Sequence, residues 1–192
     1  MPLTVRDDAR ERILAGAYAC VARYGLAKTT VDDVARLSGL SRATFYRYFP
    51  GGKDQLQREV VAWEVRRFFA RLAEAVGPAP DLATMLVEGL LYAHRALIDH
   101  EVLQKVLQTE PELLLPLLSV EANRLLPLVA GFVEPYVARA PLLPGLEPDQ
   151  AAGYLARMIL SYIEAQGRWD LTDRSEVERL VRVELLGGIV TG

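Results

Sequence analysis

The chain has 192 residues, 24% of them charged and 51% apolar, so it is globular and long enough to bury a full core without covalent staples. A single cysteine, Cys20, excludes an internal disulfide, and with only His94 and His100 beside it argues against a structural zinc site. The net charge of −3 conceals a segregation: residues 1–50 hold eight Lys and Arg against five acids, and the other 142 hold fourteen against twenty. A basic head on an acidic body points the head toward an anionic partner.

The start, "MPLTVRDDARERILAG", is polar and unlike a signal peptide. The apolar runs "LLLPLLSV" and "LLPLVAGFV" carry prolines and are too short to span a bilayer. A cytoplasmic protein without membrane contact is expected.

Helical periodicity then runs along the chain. Residues 7–24 place Ile13, Leu14, Ala17, Val21 and Tyr24 on one stripe, and Gly25 stops the helix. Cys20 adjoins that stripe as a small core residue. Thr30 is the N-cap of a helix over 31–38, with Asp33 completing a capping-box-like pair and Gly39 ending it. Ser41 caps a helix over 42–49, which Pro50, Gly51 and Gly52 break. A long helix from Lys53 to Val76 ends at "GPAPD". Further helices fall at about 82–99, 101–108, 112–118, 120–139, 147–168 and 174–188. "SEVE" at 175–178 has the capping-box pattern. Strand alternation and internal repeats are absent. The expected fold is all-α: a three-helix helix-turn-helix domain over 1–52, then a helical ligand-binding and dimerisation domain over 53–192, linked by helix 53–76.

Two short helices joined by "SGLS" have helix-turn-helix spacing. Ala35 is small where they cross, Leu40 plugs the turn, and Val34 and Leu37 are placed to pack on the first helix. The second short helix, "SRATFYRYF", holds two arginines, two tyrosines, two phenylalanines and no acid. At about 100° per residue, Phe45 and Phe49 share one face as core, while Ala43 and Arg47 point away. An outward face of Arg42, Ala43, Thr44 and Arg47, flanked by Tyr46 and Tyr48, suits a DNA major groove. Arginine pairs with guanine edges, threonine and alanine meet thymine methyls, and tyrosine hydroxyls hold phosphates. Arg42, Ala43 and Thr44 lie nearest the helix start and are the expected base readers. Lys53, opening the next helix, and Thr30 are expected at phosphates. A solvated amphipathic helix in a plain bundle is the alternative.

The block "TTVDDVARLSGLSRATFYRYFPGGKDQL" resembles the N-terminal domain of the tetracycline-repressor (TetR) family of transcription regulators. The resemblance is carried by Thr30, Val34, Ala35, Gly39, Leu40, Ser41, Arg42, Thr44, Phe45, Tyr46, Tyr48, Phe49 and Lys53. "PGGK" departs from the family pattern, because Gly51 and Gly52 offer no side-chain cap. The resemblance implies an Ω-shaped homodimer on a palindromic, double-stranded operator. It implies that a small-molecule effector in the C-terminal domain sets the spacing of the two heads. It implies repression as the usual outcome, with activation as the alternative.

The rest of the chain gives no comparable motif. The helix at 82–99 is apolar nearly all round and must be central. Excess apolar surface there suits an effector cavity or a dimer interface. Trp63, Phe68, Tyr92, His94 and Tyr154 are the pocket candidates, although plain core or surface placement suits each of them better, a hydrogen-bonded surface site in the case of His94; His100 fits a local cap. Small residues interleaved with Leu155, Met158, Ile159 and Tyr162, and the stripe Val177, Leu180, Val181 and Leu185, are assigned to dimerisation. There is no phosphate-binding glycine loop, nucleophile elbow or paired carboxylate, so no catalytic residue, cofactor or metal is expected. A helical adaptor that binds other proteins is the remaining alternative.

Overall fold

The structure is a computed structural model. It describes the backbone of residues 5–77 and 79–191 and the side chains of residues 8–77, 79–119 and 124–191. The polar start before Val5 and Pro78 of the "GPAPD" break lie outside the described residues.

Nine α-helices and one π-helical turn make up the described chain: α1 Val5–Tyr24, α2 Val31–Ser38, α3 Arg42–Tyr48, α4 Gly52–Val76, α5 Leu82–Ile98, α6 Glu101–Thr109, α7 Pro111–Val137, α8 Pro148–Glu164, α9 Arg174–Leu180, and the π-turn Val181–Leu185. Among the described residues the only strand-like pairing is one bridge, Leu142 to Val190. The all-α expectation therefore holds. No single helix among the described residues is long and apolar enough to cross a membrane.

The structure adjusts the expected helix ends and caps. The helices expected at 112–118 and 120–139 fall within one helical run, α7, which opens with Pro111 in its first turn, where a missing N–H costs nothing, and is broken between Ser119 and Arg124, close to the expected split. The last helix begins at Arg174 as expected, but its cap is Asp173 and not the serine of "SEVE": Asp173 accepts the N–H groups of Ser175 and Glu176. It also gives way to a π-turn, closed by Leu186 N–H to Val181 O at 2.9 Å. At the "PGGK" entry, Gln55 supplies the missing cap, its Oε1 accepting the Gly51 N–H at 2.8 Å.

The chain divides into two compact units, residues 1–68 with 100–121 and residues 69–99 with 122–192. The expected split at 52/53 sorts residues by role, whereas compactness sorts them by shared core. In the first unit, Ile13, Leu14, Ala17 and Cys20 of α1 pack with Val34, Phe45, Phe49, Leu56, Val60 and Trp63. Burial raises the Cys20 thiol pKa, which suits the small-core reading. A second cluster joins Val21 and Leu26 to Val106 and Leu114, which brings residues 100–121 into this unit. His100 caps α6 as expected, its Nδ1 accepting the Leu103 N–H at 3.0 Å.

Gly16 permits close crossing of α1 and α2, since a Cβ there would meet Ser38 N at 3.3 Å. Leu37 does not pack on α1; it is 49% exposed, and Ser38 takes the inward position instead. In the second unit, α5 buries Leu82, Met85, Leu86, Val87, Leu90, Ala93 and His94 and packs against α8, α9 and the π-turn. It is the central helix of that unit, as its all-round apolar pattern requires.

Truncating Phe45 to alanine is expected to cost about 3–5 kcal/mol in urea denaturation. Leu37→Ala should stay within about 0.5 kcal/mol of wild type. A large loss from Leu37→Ala would return that residue to the core.

Candidate nucleic-acid interface

The turn between α2 and α3 is built from local chemistry. Thr30 caps α2, its hydroxyl oxygen accepting the Asp33 N–H at 3.2 Å. Gly39, in the left-handed region at φ 67°, closes it, and Leu40 N–H bonds back to Ala35 O at 2.9 Å. Arg12 of α1 donates to Ser38 O at 2.6 Å, adding a cation at the negative end of α2. Ser41 then caps α3 by accepting the Thr44 N–H at 3.1 Å. These restraints fix where α3 starts and which side it presents.

Seven residues make two turns of helix, far below the length that is stable alone. Packing holds α3 in place. Phe45 and Phe49 are fully buried and stack on each other, centroids 5.5 Å apart. The opposite side is open: Arg42, Ala43, Tyr46 and Arg47 are exposed and Thr44 is half-buried. The angular reading of "SRATFYRYF" therefore matches the side chains. Tyr48 departs from it in part, since it is half-buried against the first core rather than standing free at the flank.

Several expected contact residues already have partners. The Thr30 hydroxyl donates to the Asp33 carboxylate at 2.6 Å, which holds that carboxyl below its usual range. Lys53 Nζ donates to Ala27 O at 2.7 Å, so one of its three N–H groups is committed inside the chain. Arg47 lies over the Tyr48 ring, 5.3 Å from its centroid. The face of α3 is free of acid, but Asp32 of α2 reaches it, one oxygen 3.1 Å from Arg42.

The turn between α1 and α2 is held just as closely, and by residues that periodicity did not single out. Glu110, between α6 and α7, accepts the Leu26 N–H at 2.5 Å and the Ala27 N–H at 3.4 Å. Gly25, at φ 86°, leaves room for it: a Cβ there would stand 2.7 Å from a Glu110 oxygen. Lys105 donates to Ala22 O at 2.8 Å, and Gln57 to Leu26 O at 3.3 Å. The free N–H and C=O groups at the end of α1 are thus taken up by side chains from α4, α6 and the α6–α7 junction. The available signal was the lone acid in "TEP", which stands at a helix break where a carboxylate can reach another turn.

Residues 13–60 match the family described as "Bacterial regulatory proteins, tetR family". Over 196 aligned residues the chain is 31% identical to Rv0196, an uncharacterized HTH-type transcriptional regulator of Mycobacterium tuberculosis, covering 92% of this chain and 94% of that one. The chain belongs to the TetR family. It is a transcriptional regulator with a helix-turn-helix DNA-binding domain and not an enzyme. Its fold is also that of a putative TetR-family regulator from Mesorhizobium loti, with a TM-score of 0.63 at 19% identity over 94% of this chain and 98% of that one. The fatty acid degradation regulator FadR from Bacillus halodurans gives 0.54 at 22% identity, over 93% and 98%.

The TetR-family resemblance carried no pocket residues, and the candidates chosen from sequence are only partly kept. Trp63 belongs to the first core, its indole N–H donating to Glu11 at 2.6 Å and Arg67 lying 4.4 Å over its ring. Tyr154 is 41% exposed and donates to Glu184 O at 3.0 Å, on the outside of its unit. Phe68 falls in the first unit and Tyr92 in the second, both half-buried. His94 is buried, so the surface reading fails; both ring nitrogens lie 3.4 Å from the Gln166 amide. An open cavity of about 350 Å³ in the second unit is lined by Arg168, Trp169, Glu176, Arg179 and Val183, none of which was expected.

The dimer residues also divide. Leu155, Val177, Leu180, Val181 and Leu185 are buried inside their own protomer and cannot meet a partner. Met158, Ile159 and Tyr162 are half-buried, and burial raises the Tyr162 pKa. Periodicity located an apolar stripe but could not tell the face that fills the core from the face beside it.

Replacing Glu110 by alanine should leave the Leu26 and Ala27 amides without their acceptor. Their hydrogen exchange is expected to speed up about tenfold, for a loss on the order of 1–2 kcal/mol. Unchanged protection at both amides would rule out the carboxylate as their acceptor.

Proposed function

We propose that the chain is a repressor that binds a palindromic operator as a homodimer through the outward face of α3. A small, mostly apolar effector in the C-terminal domain releases it. Residues 1–52 form the reading head, residues 53–192 carry the effector and the partner, and α4 links them. Work on operator DNA makes it a cytoplasmic protein.

One observation carries this reading. The side of α3 away from Phe45 and Phe49 exposes Arg42, Ala43, Tyr46 and Arg47 on a helix whose position is fixed by caps and core. A rigid, acid-free helix face is what groove recognition needs. Arg42 and Thr44 are the base readers, with Ala43 against a thymine methyl. Tyr46, Arg47, Tyr48, Lys53 and Thr30 serve the phosphates, the last two after exchanging their intramolecular partners for a phosphate oxygen. Activation in place of repression depends on where the operator lies, which is a property of the DNA.

The effector reading rests on the second unit, where His94 is a buried polar group in an apolar helix with the Gln166 amide as partner. An effector's polar end would compete for that histidine while α5 supplies the apolar wall. The dimer reading moves to the outer stripe of α8. Tyr154, Met158 and Tyr162 recur every four residues there, beside Val183, which is 56% exposed. A two-fold pairing of this stripe with its copy would bury both tyrosines.

Binding to duplex DNA, followed by fluorescence anisotropy, should weaken steeply with salt, at roughly 0.9 log units per log of salt for each phosphate engaged. Affinity that ignores salt would point to the adaptor alternative. Met158→Glu is expected to give a monomer by light scattering with thermal stability near wild type. Leu155→Ala should cost about 2–5 kcal/mol instead, as a core cavity does. A dimer that persists in Met158→Glu would remove α8 from the interface.

A further inference from the structure

Asp32 stands on the first turn of α2, and Arg42 is the first residue of α3. Arg42 Nη1 lies 3.1 Å from one Asp32 carboxylate oxygen and 3.2 Å from the other, and both side chains are well exposed. We infer that Asp32 is a specificity-determining residue of the reading face: it holds the Arg42 guanidinium toward a base edge and withholds it from the phosphate backbone. This rests on the DNA-binding reading above.

The neighbouring charges separate Asp32 from the rest of α2. Asp33 is committed within its own helix, to the Thr30 hydroxyl at 2.6 Å and to Arg36 at 2.7 Å. Asp32 instead crosses the turn to the reading helix. The two arginines of α3 are consequently prepared differently. Arg47 rests on the Tyr48 ring with no carboxylate at ion-pair distance among the described residues. Arg42 arrives with a carboxylate already beside it. An exposed pair of this kind contributes little to folding, so its main effect falls on what Arg42 can do next.

The donor geometry supports the assignment. Nη1 faces the carboxylate, leaving Nη2 and Nε as a two-pronged fork. Two parallel donors match the O6 and N7 acceptors of a guanine. A single phosphate rewards a guanidinium whatever the sequence, because that contact is almost wholly Coulombic. In a complex on random DNA, the Asp32 carboxylate is brought near phosphates and repelled, while the Arg42 it has partly neutralised returns less. On the right sequence, the guanine edge accepts the fork without breaking the Asp32 pair. The carboxylate thus opposes every complex and is offset only where the correct base stands, which is how a repulsive element creates specificity.

The test uses the full-length protein, a duplex that the wild type enriches from a random pool, and a scrambled duplex of the same composition. Asp32→Asn keeps the side-chain shape and removes the charge. The variant is expected to bind the scrambled duplex several-fold tighter and to lose about tenfold in the ratio between the two duplexes. In an Arg42→Ala background, Asp32→Asn should leave that ratio unchanged. A ratio unmoved by Asp32→Asn, or both duplexes weakened alike, overturns the inference and leaves Asp32 as a charge on the first turn of α2. A ratio that falls as far without Arg42 also overturns it, because Asp32 would then act alone. Wild-type protein that enriches no duplex overturns both this inference and the DNA-binding reading beneath it.

Discussion

The stack of Phe45 on Phe49 is the contact on which the reading head depends. A helix of seven residues has too few hydrogen bonds to repay its own nucleation, so α3 exists only where its inward side is held. Both phenylalanines are fully buried among side chains of α1, α2 and α4. Because they fall four residues apart, fixing them fixes the rotation of α3 about its axis. The outward residues are then set by geometry: what points away from Phe45 and Phe49 is what a groove can touch. The caps at Ser41 and Gly39 fix the remaining freedom, where along its axis α3 begins.

The other end of the head is fixed by side-chain hydrogen bonds to its backbone as well as by apolar packing. The turn after α1 has free backbone groups that no helix can use, and Glu110, Lys105, Gln57 and Lys53 take them. Two of those side chains come from the segment 100–121, which also shares the core of Val21 and Leu26. The reading head is therefore not an independent three-helix piece. Its first turn is completed by residues more than eighty positions further along the chain.

Local features were legible in the sequence because local physics writes them. The span of α2, the caps Thr30 and Ser41, the stop at Gly39 and the inward pair Phe45 and Phe49 depend on residues within a few positions of each other. Features that depend on distant partners were not. Leu37 looked like core by type, but the α1–α2 crossing placed Ser38 and Gly16 there instead. Trp63 looked like a pocket wall because it is large and sits on the linking helix; Glu11 and the first core claim it. Leu155, Leu180 and Leu185 had the spacing of an interface, and the protomer uses that spacing for its own core. Asp32 and Arg42 lie ten residues apart, and only the folded turn brings them together.

The central claim is that the outward face of α3 reads duplex DNA and that two copies do so about a two-fold axis. Selection of bound duplexes from a random pool by the full-length protein tests it most directly. The expected result is a consensus made of two inverted half-sites, with a preferred base pair at equivalent positions in each half. Enrichment of an asymmetric site, or no enrichment of any sequence over the starting pool, would contradict it.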